Sequence, residues 1–589
     1  MTEPALLLMD GSGSGQERRV GRVLQFFGVS SRNVLAAEVA FANPAGGLTS
    51  RKPRVLCSAE VFLRGIESWG QKPAWKQWWT QSLHSAFIYQ GGNQDSLQRL
   101  ARILTGDNKA VLHAIDTSAG DFVVSHELSD FCGFMASIRV AANKTNTNGN
   151  FVLRTAKRDV VNIISVGDVA AFLKFEHKGV PVFLSTSREI IDLDAELKSQ
   201  NFNVRDHFLS TVPLVLYIKW AFAETCWNAP ETNACLVIDD PVLKSTHGFV
   251  DFQELLFLMK RHKFSSNIAF IPWNWRRTTP EVARLFRENS ENYSVSVHGC
   301  DHTRAEFGSS DQQRLYWKTQ QALERMNRHK SITGIRHDRV MVFPQGIFSE
   351  AAMSALRHTA LIAAVNNDII SASPHPSAIT ISDAWDIAVM DYTFPLFTRR
   401  YPWEGIENFA FDALLGKPAI IVIHHDYCSD HCSRLITFIE RLNALKIAPT
   451  WRSLGEVVRR SYRQRELSLG DVEIEMYAAE LRVENRSKQP RRFLIRRRER
   501  EPSAIREICD GSGLIAWNSV NGHINFKIEL ASDQSKMVSV KFHKLAESGS
   551  NGDILPYRFK VMVRRYLCEV RDNYVTPMRM RLSGLAGSR

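Results

Sequence analysis

The sequence predicts an α/β protein built on a central (β/α) barrel, with a smaller α/β region before it and a β domain after it. Three observations carry this. Between Ala234 and about residue 450, short runs that are apolar on both faces alternate with amphipathic helical segments, the pattern of a parallel sheet covered by helices. Polar residues interrupt those runs at one end, where barrel enzymes place their chemistry. From about Leu467 the texture changes to the strict alternation of strands with one wet face.

A chain of 589 residues exceeds what one core usually serves. The divisions read from composition are a flexible N-terminus over 1–18, an α/β region over 19–231, the barrel over 232–465 and an antiparallel β domain over 466–589. The first contains Gly11-Ser12-Gly13-Ser14-Gly15, a linker-like run with no strand before it and no helix after it, as a phosphate loop requires. In the second, apolar runs at Val55-Leu56-Cys57 and Ala86-Phe87-Ile88-Tyr89 flank helix-like segments such as Asp95–Leu104.

The barrel strands are expected at Cys235–Ile238, Asn267–Ile271, Tyr293–Val297, Val340–Phe343, Leu361–Val365 and Ala419–Ile423. Helix starts are marked by Thr279-Pro280, Ser310-Asp311 and Ser349-Glu350. In the last region Asn521-Gly522 is a strong hairpin signal.

Charge and composition narrow the function classes. Hydrophobic residues make up 44% and charged residues 23%, which excludes a fibrous or largely disordered chain. The net charge of +12 favours acidic partners, and the run Arg491–Arg500, with apolar residues inside it, reads as an exposed, solvated strand, with polyanion contact as the alternative. Nine scattered cysteines imply no disulfide framework. The run Ala5–Met9 is too short for a signal-peptide core, and no stretch approaches the roughly 18 apolar residues of a membrane span. A cytoplasmic location with no transmembrane segment is the resulting expectation.

Three strand ends carry the candidate chemistry. Asp239 and Asp240 close the first barrel strand. Adjacent residues on a strand point to opposite sides, so one carboxylate is expected to bind a metal while the other takes a proton. His298 and His302, at the end of the third strand, are spaced to converge on one divalent cation. His424 and His425 end a later strand. A histidine there suits a general acid, and alternation favours His425 over His424. Trp273 and Trp275, with Arg276, sit in a rim loop suited to stacking on and holding a sugar.

The order Asp239-Asp240, His298-x3-His302 and His425-Asp426, with Val297-His298-Gly299-Cys300-Asp301-His302 followed by Glu306-Phe307, resembles the polysaccharide deacetylase superfamily. This is the NodB-homology or carbohydrate esterase family four group, and the resemblance covers the central domain. It implies a distorted (β/α)7 barrel and a divalent metal, zinc first, with cobalt, nickel and manganese as alternatives. Asp240, His298 and His302 then correspond to the metal ligands, Asp239 to the catalytic base and His425 to the catalytic acid. The implied activity is removal of acetyl groups, N-acetyl first, from a carbohydrate or polysaccharide. The alternative is an inactive, carbohydrate-binding relative in polysaccharide assembly. That alternative is motivated by the flanking domains and by one departure: the family's Arg-Pro-Pro-Tyr-Gly segment stands here as Val342-Phe343-Pro344-Gln345-Gly346. The arginine that holds the catalytic aspartate is missing from that position, leaving Arg276, Arg277 and Arg339 as candidates to replace it.

Overall fold

The computed structural model describes residues 4–9, 11, 15–36, 52–69, 73, 77–116, 120–157, 159–223, 225–467, 470–546 and 555–579. The chain divides into two compact units, Met1–Ala195 with Asn203–Asn228 and Arg465–Gly470, and Glu196–Phe202 with Ala229–Gln464 and Asp471–Arg589.

In the first unit a mixed sheet runs, strand beside strand, Ser31–Leu35, Ala5–Met9, Arg54–Ser58, Ser85–Tyr89 and Val180–Ser185 as parallel neighbours. It continues antiparallel through Val169–His177, Val161–Val166, Asp121–Val124 and Arg139–Ala141. Phe208–Ala221 is apolar and buried around most of its circumference and belongs to this unit. The flexible N-terminus expected over 1–18 is corrected: Ala5–Met9 is a buried strand and Gly15–Phe26 is a helix. Five apolar residues, too few for a leader, are the right length for a strand paired on both edges. Most of the Gly-Ser run lies outside the described residues.

The second unit is built on seven parallel strands, β1 (Asn233–Asp239), β2 (Ser266–Phe270), β3 (Tyr293–His298), β4 (Val340–Val342), β5 (Ala363–Asn366), β6 (Leu396–Thr398) and β7 (Ala419–Ile423). Their order is β6-β5-β4-β3-β2-β1-β7, with Ala388–Val389 antiparallel outside β6. The covering helices include α1 (Phe252–His262), α2 (Pro280–Glu288), α3 (Gln312–Thr333), α4 (Glu350–Arg357), α5 (Ile406–Leu415) and α6 (Ser433–Asn443). The sequence signals act as read: the Asp311 side chain caps α3, Ser349 caps α4, and Pro280 opens α2.

The expected closed barrel is formed only in part: the sheet is mixed, and its two edges are joined at one point just past β6, not by a ladder. The edge strands β6 and β7 meet at a single bridge, where Arg400 N donates to Ile420 O at 2.9 Å and Val422 N donates to Arg400 O at 2.9 Å. β6 is only three residues long, so no ladder forms along that seam.

The C-terminal region is corrected twice. It is not purely antiparallel, because Val472–Met476 pairs in parallel with Arg491–Arg498, which then pairs antiparallel with His523–Leu530. Nor is it a separate unit. Ile474, Tyr477, Leu481 and Ile495 share one core with Val340, Val342, Ile362 and Val365. The buried Arg357 reaches across from α4 to Glu499 at 2.6 Å. Asn521 and Gly522 both take positive φ, the mirror-image turn that the hairpin signal predicts. The arginine-rich run is a strand whose charges are matched: Arg492 pairs with Asp471, Arg496 with Glu475, Arg497 with Glu499 and Arg498 with Asp391.

Candidate metal and catalytic site

A cavity of about 560 Å³ opens at the C-terminal ends of the parallel strands and is lined by Asp239, Asp240, His298, His302, Arg399 and His424. β1 delivers Asp239 as its last residue. The chain then turns into the left-handed region at Asp240, with φ 81°. Strand alternation therefore stops one residue early, and both carboxylates line the same cavity instead of facing opposite sides. A short polar residue such as Asp tolerates that conformation better than most.

β3 delivers His298, and the loop behind it carries His302, also left-handed with φ 55°. Glu306 braces this loop by accepting backbone N–H bonds from Cys300 at 3.0 Å, Asp301 at 2.8 Å and His302 at 3.0 Å. Gly299 is required here. Its φ is 63°, and a Cβ would lie 2.4 Å from Pro344 Cγ and 2.6 Å from Glu306 Oε2. Asp301 itself turns away to the buried Lys318 and the half-buried Arg325, the latter at 2.5 Å.

Asp240 Oδ1 lies 3.4 Å from His298 Nε2 and 3.0 Å from His302 Nε2, and one ligand atom from each of the three residues falls within 4.8 Å of the others. His298 Nδ1 lies 3.0 Å from Val342 O, which can only accept. That nitrogen therefore carries the proton, and Nε2 points a lone pair at the carboxylate. Two acceptors so placed repel unless a cation sits between them. The buried Asp240 Oδ1 has no hydrogen-bond donor of its own, so the donor set fits a divalent metal bound by one carboxylate and two imidazoles.

Asp239 is held by an arginine the sequence did not point to. Arg399 Nη1 and Nη2 donate to its two carboxylate oxygens at 2.7 and 2.8 Å, and both side chains are buried. Burial opposes ionisation of Asp239; Arg399 more than offsets it and keeps the pKa below the usual carboxylate value. The three candidates from sequence go elsewhere. Arg276 stacks over Trp275 at 4.3 Å, Arg277 pairs with Glu569, and Arg339 pairs with Glu480. Val342, at the position of the missing motif arginine, is a buried residue of β4, and three residues on Gln345 lines the cavity and accepts a bond from Ala305 N at 3.1 Å.

His424, not the expected His425, lines the cavity. The chain leaves β7 extended at His424 and winds into a 3-10 turn at His425, so alternation fails here too. His425 is buried, with Nε2 3.5 Å from Asp572 and Nδ1 against Gly248. Trp273, Trp275 and Arg276 line a second cavity of about 550 Å³ with Trp317 and Tyr557, Asn274 of the same loop faces the metal-side cavity, and Arg277 lines both. The loop's 3-10 turn at Pro272–Asn274 splits it between the two.

No protein-family model and no curated protein matches the chain. Among solved structures it is similar to Agd3, a carbohydrate deacetylase, at 10% identity and TM-score 0.46 over 91% of this chain and 98% of that one. It is similar to the peptidoglycan deacetylase PdaC from Bacillus subtilis at 14% identity and TM-score 0.24, over 39% of this chain and 92% of that one. A family 4 carbohydrate esterase from Streptomyces lividans is similar at 13% identity and TM-score 0.22, over 36% of this chain and 86% of that one.

Proposed function

We propose that this chain is a metal-dependent hydrolase that removes acetyl groups, N-acetyl first, from a carbohydrate. One observation carries the reading: Asp240, His298 and His302 converge within ligand distance in the same cavity that holds Asp239 on its arginine tether. A divalent cation on those three side chains, zinc first, supplies Lewis acidity toward an amide carbonyl and a water of lowered pKa. Asp239, kept ionised and oriented by Arg399, takes the proton of the attacking water. His424 takes over from His425 the role of giving a proton to the departing amine, since it is the histidine of the pair that faces the cavity. Asn274 and Arg277 position the substrate beside the metal, and Trp273, Trp275 and Arg276 hold a more distant sugar in the adjoining cavity.

The inactive alternative was motivated by the flanking domains and the missing motif arginine. Arg399, arriving from a different strand, supplies that arginine's contact. The test is elemental analysis of the purified protein beside acetate release from a panel of acetylated amino-sugar polymers. The expected result is one divalent ion per chain, lost in His298→Ala together with acetate release. Metal-loaded protein that releases no acetate from any member of the panel refutes the activity.

A further inference from the structure

A helix of reversed polarity lies over the mouth of the cavity. Leu555–Val570 (α7) continues into a π-turn at Arg571–Val575. An amphipathic helix ordinarily buries its apolar stripe and shows its polar face to water. Here the polar face is the one that docks. Glu569 pairs with Lys244 and Arg277. Asp572 lies 3.5 Å from His425, Asn573 Oδ1 accepts from Gly248 N at 2.7 Å, and Tyr557 Oη donates to Asp301 at 2.9 Å.

The opposite face is apolar and uncovered. Leu555 is 80% exposed, Phe559 63%, Leu567 63% and Tyr574 69%, with Met562, Val563 and Val570 filling the three- and four-residue intervals between them, while Tyr566 turns in against Trp273 and Arg277. Such a continuous stripe is more than scattered surface apolar residues and marks an interaction surface. Its borders are charged with one sign. Glu569 and Asp572 are the two acids of residues 555–579, and both are turned inward and paired. Arg558, Lys560 and Arg579 are exposed.

We propose that α7 is an interfacial anchor that lies on an anionic membrane surface, its apolar stripe at the headgroup boundary and its flanking cations among the lipid phosphates. The combination of an exposed apolar stripe with basic flanks is what such helices use. A second copy of the same face fits poorly, because it would set cations against cations with no acid to meet them. The helix does not span: among the described residues no helix is long and apolar enough to cross a membrane. Surface attachment would hold the cavity against the bilayer, a consequence independent of which reaction the cavity performs.

The test is co-sedimentation of the full chain with vesicles of phosphatidylcholine alone and with an equimolar mixture of phosphatidylcholine and phosphatidylglycerol. Binding to the mixed vesicles is expected to exceed binding to the neutral ones roughly tenfold or more and to fall with added salt. The double variant Phe559→Glu/Leu567→Glu, whose side chains are exposed, should abolish binding while its circular dichroism and melting temperature stay those of the parent. The proposal is overturned if mixed vesicles do not bind the parent, if the double variant still binds, or if light scattering in lipid-free buffer finds a dimer that the double variant converts to monomer.

Discussion

Replacing Arg399 by methionine removes the group that makes a buried Asp239 tolerable. Each of the two residues is 3% exposed, and their two hydrogen bonds are short and bidentate, the geometry of the stronger charge-assisted pairs. Breaking such a pair from one side costs about 3–5 kcal/mol, because it leaves a charge in the interior without compensation. At a sensitivity of roughly 1.3 °C per kcal/mol for a unit of this size, the melting temperature of the second unit should fall by about 4–7 °C. Arg399→Lys keeps the charge but cannot grip both oxygens, so its loss should be smaller. The double variant Asp239→Asn/Arg399→Met removes both charges, and its loss should fall short of the sum of the two single losses by roughly 1–3 kcal/mol. If Asp239 is the base, acetate release by Arg399→Met should also drop by about a hundredfold or more. Calorimetry of the parent, the three single variants Arg399→Met, Arg399→Lys and Asp239→Asn, and the double variant decides the matter. An unchanged melting temperature in Arg399→Met, or strict additivity in the double variant, would refute the tether.

His329 provides a pH test. Burial, with His337 adding to it, lowers its pKa from 6.5 to about 4, and the ring stacks on Phe270 at 4.8 Å. The unfolded chain therefore takes up this proton first as pH falls. The stability is whole above pH 6.5 and drains toward pH 4, with a ceiling of roughly 3 kcal/mol. His329→Phe should flatten that slope in denaturant titrations at pH 7 and pH 4.5, and an unchanged slope would count against a buried neutral imidazole. Gly248 has φ +58°, and a Cβ there would lie 2.3 Å from His425 Nδ1. Gly248→Ala should cost roughly 1–3 kcal/mol in a thermal melt and is contradicted by a neutral result.

Much of this molecule can be read along the chain, and for a local reason. A strand that is apolar on both faces, a cap such as Asp311, or a turn such as Asn521-Gly522 is specified by a handful of neighbouring residues. Asp240, His298 and His302 were visible in the same way, since each ends a strand or sits one loop beyond it. The errors cluster where the backbone stops obeying a period. Alternation assigned Asp239 and Asp240 to opposite sides and chose His425, but the left-handed turn at Asp240 and the 3-10 turn at His425 break the period at those residues.

What no local pattern contained is the set of contacts made across the fold. Arg399 stands 160 residues from Asp239, and only the placement of the end of β6 near that of β1 brings its guanidinium to the carboxylate. The C-terminal helix lies inside the stretch expected as an antiparallel β domain, and packing alone shows which of its faces is turned inward. Periodicity states that a helix has two faces. It does not state which one is buried, because that depends on the polarity of the surface the chain returns to meet.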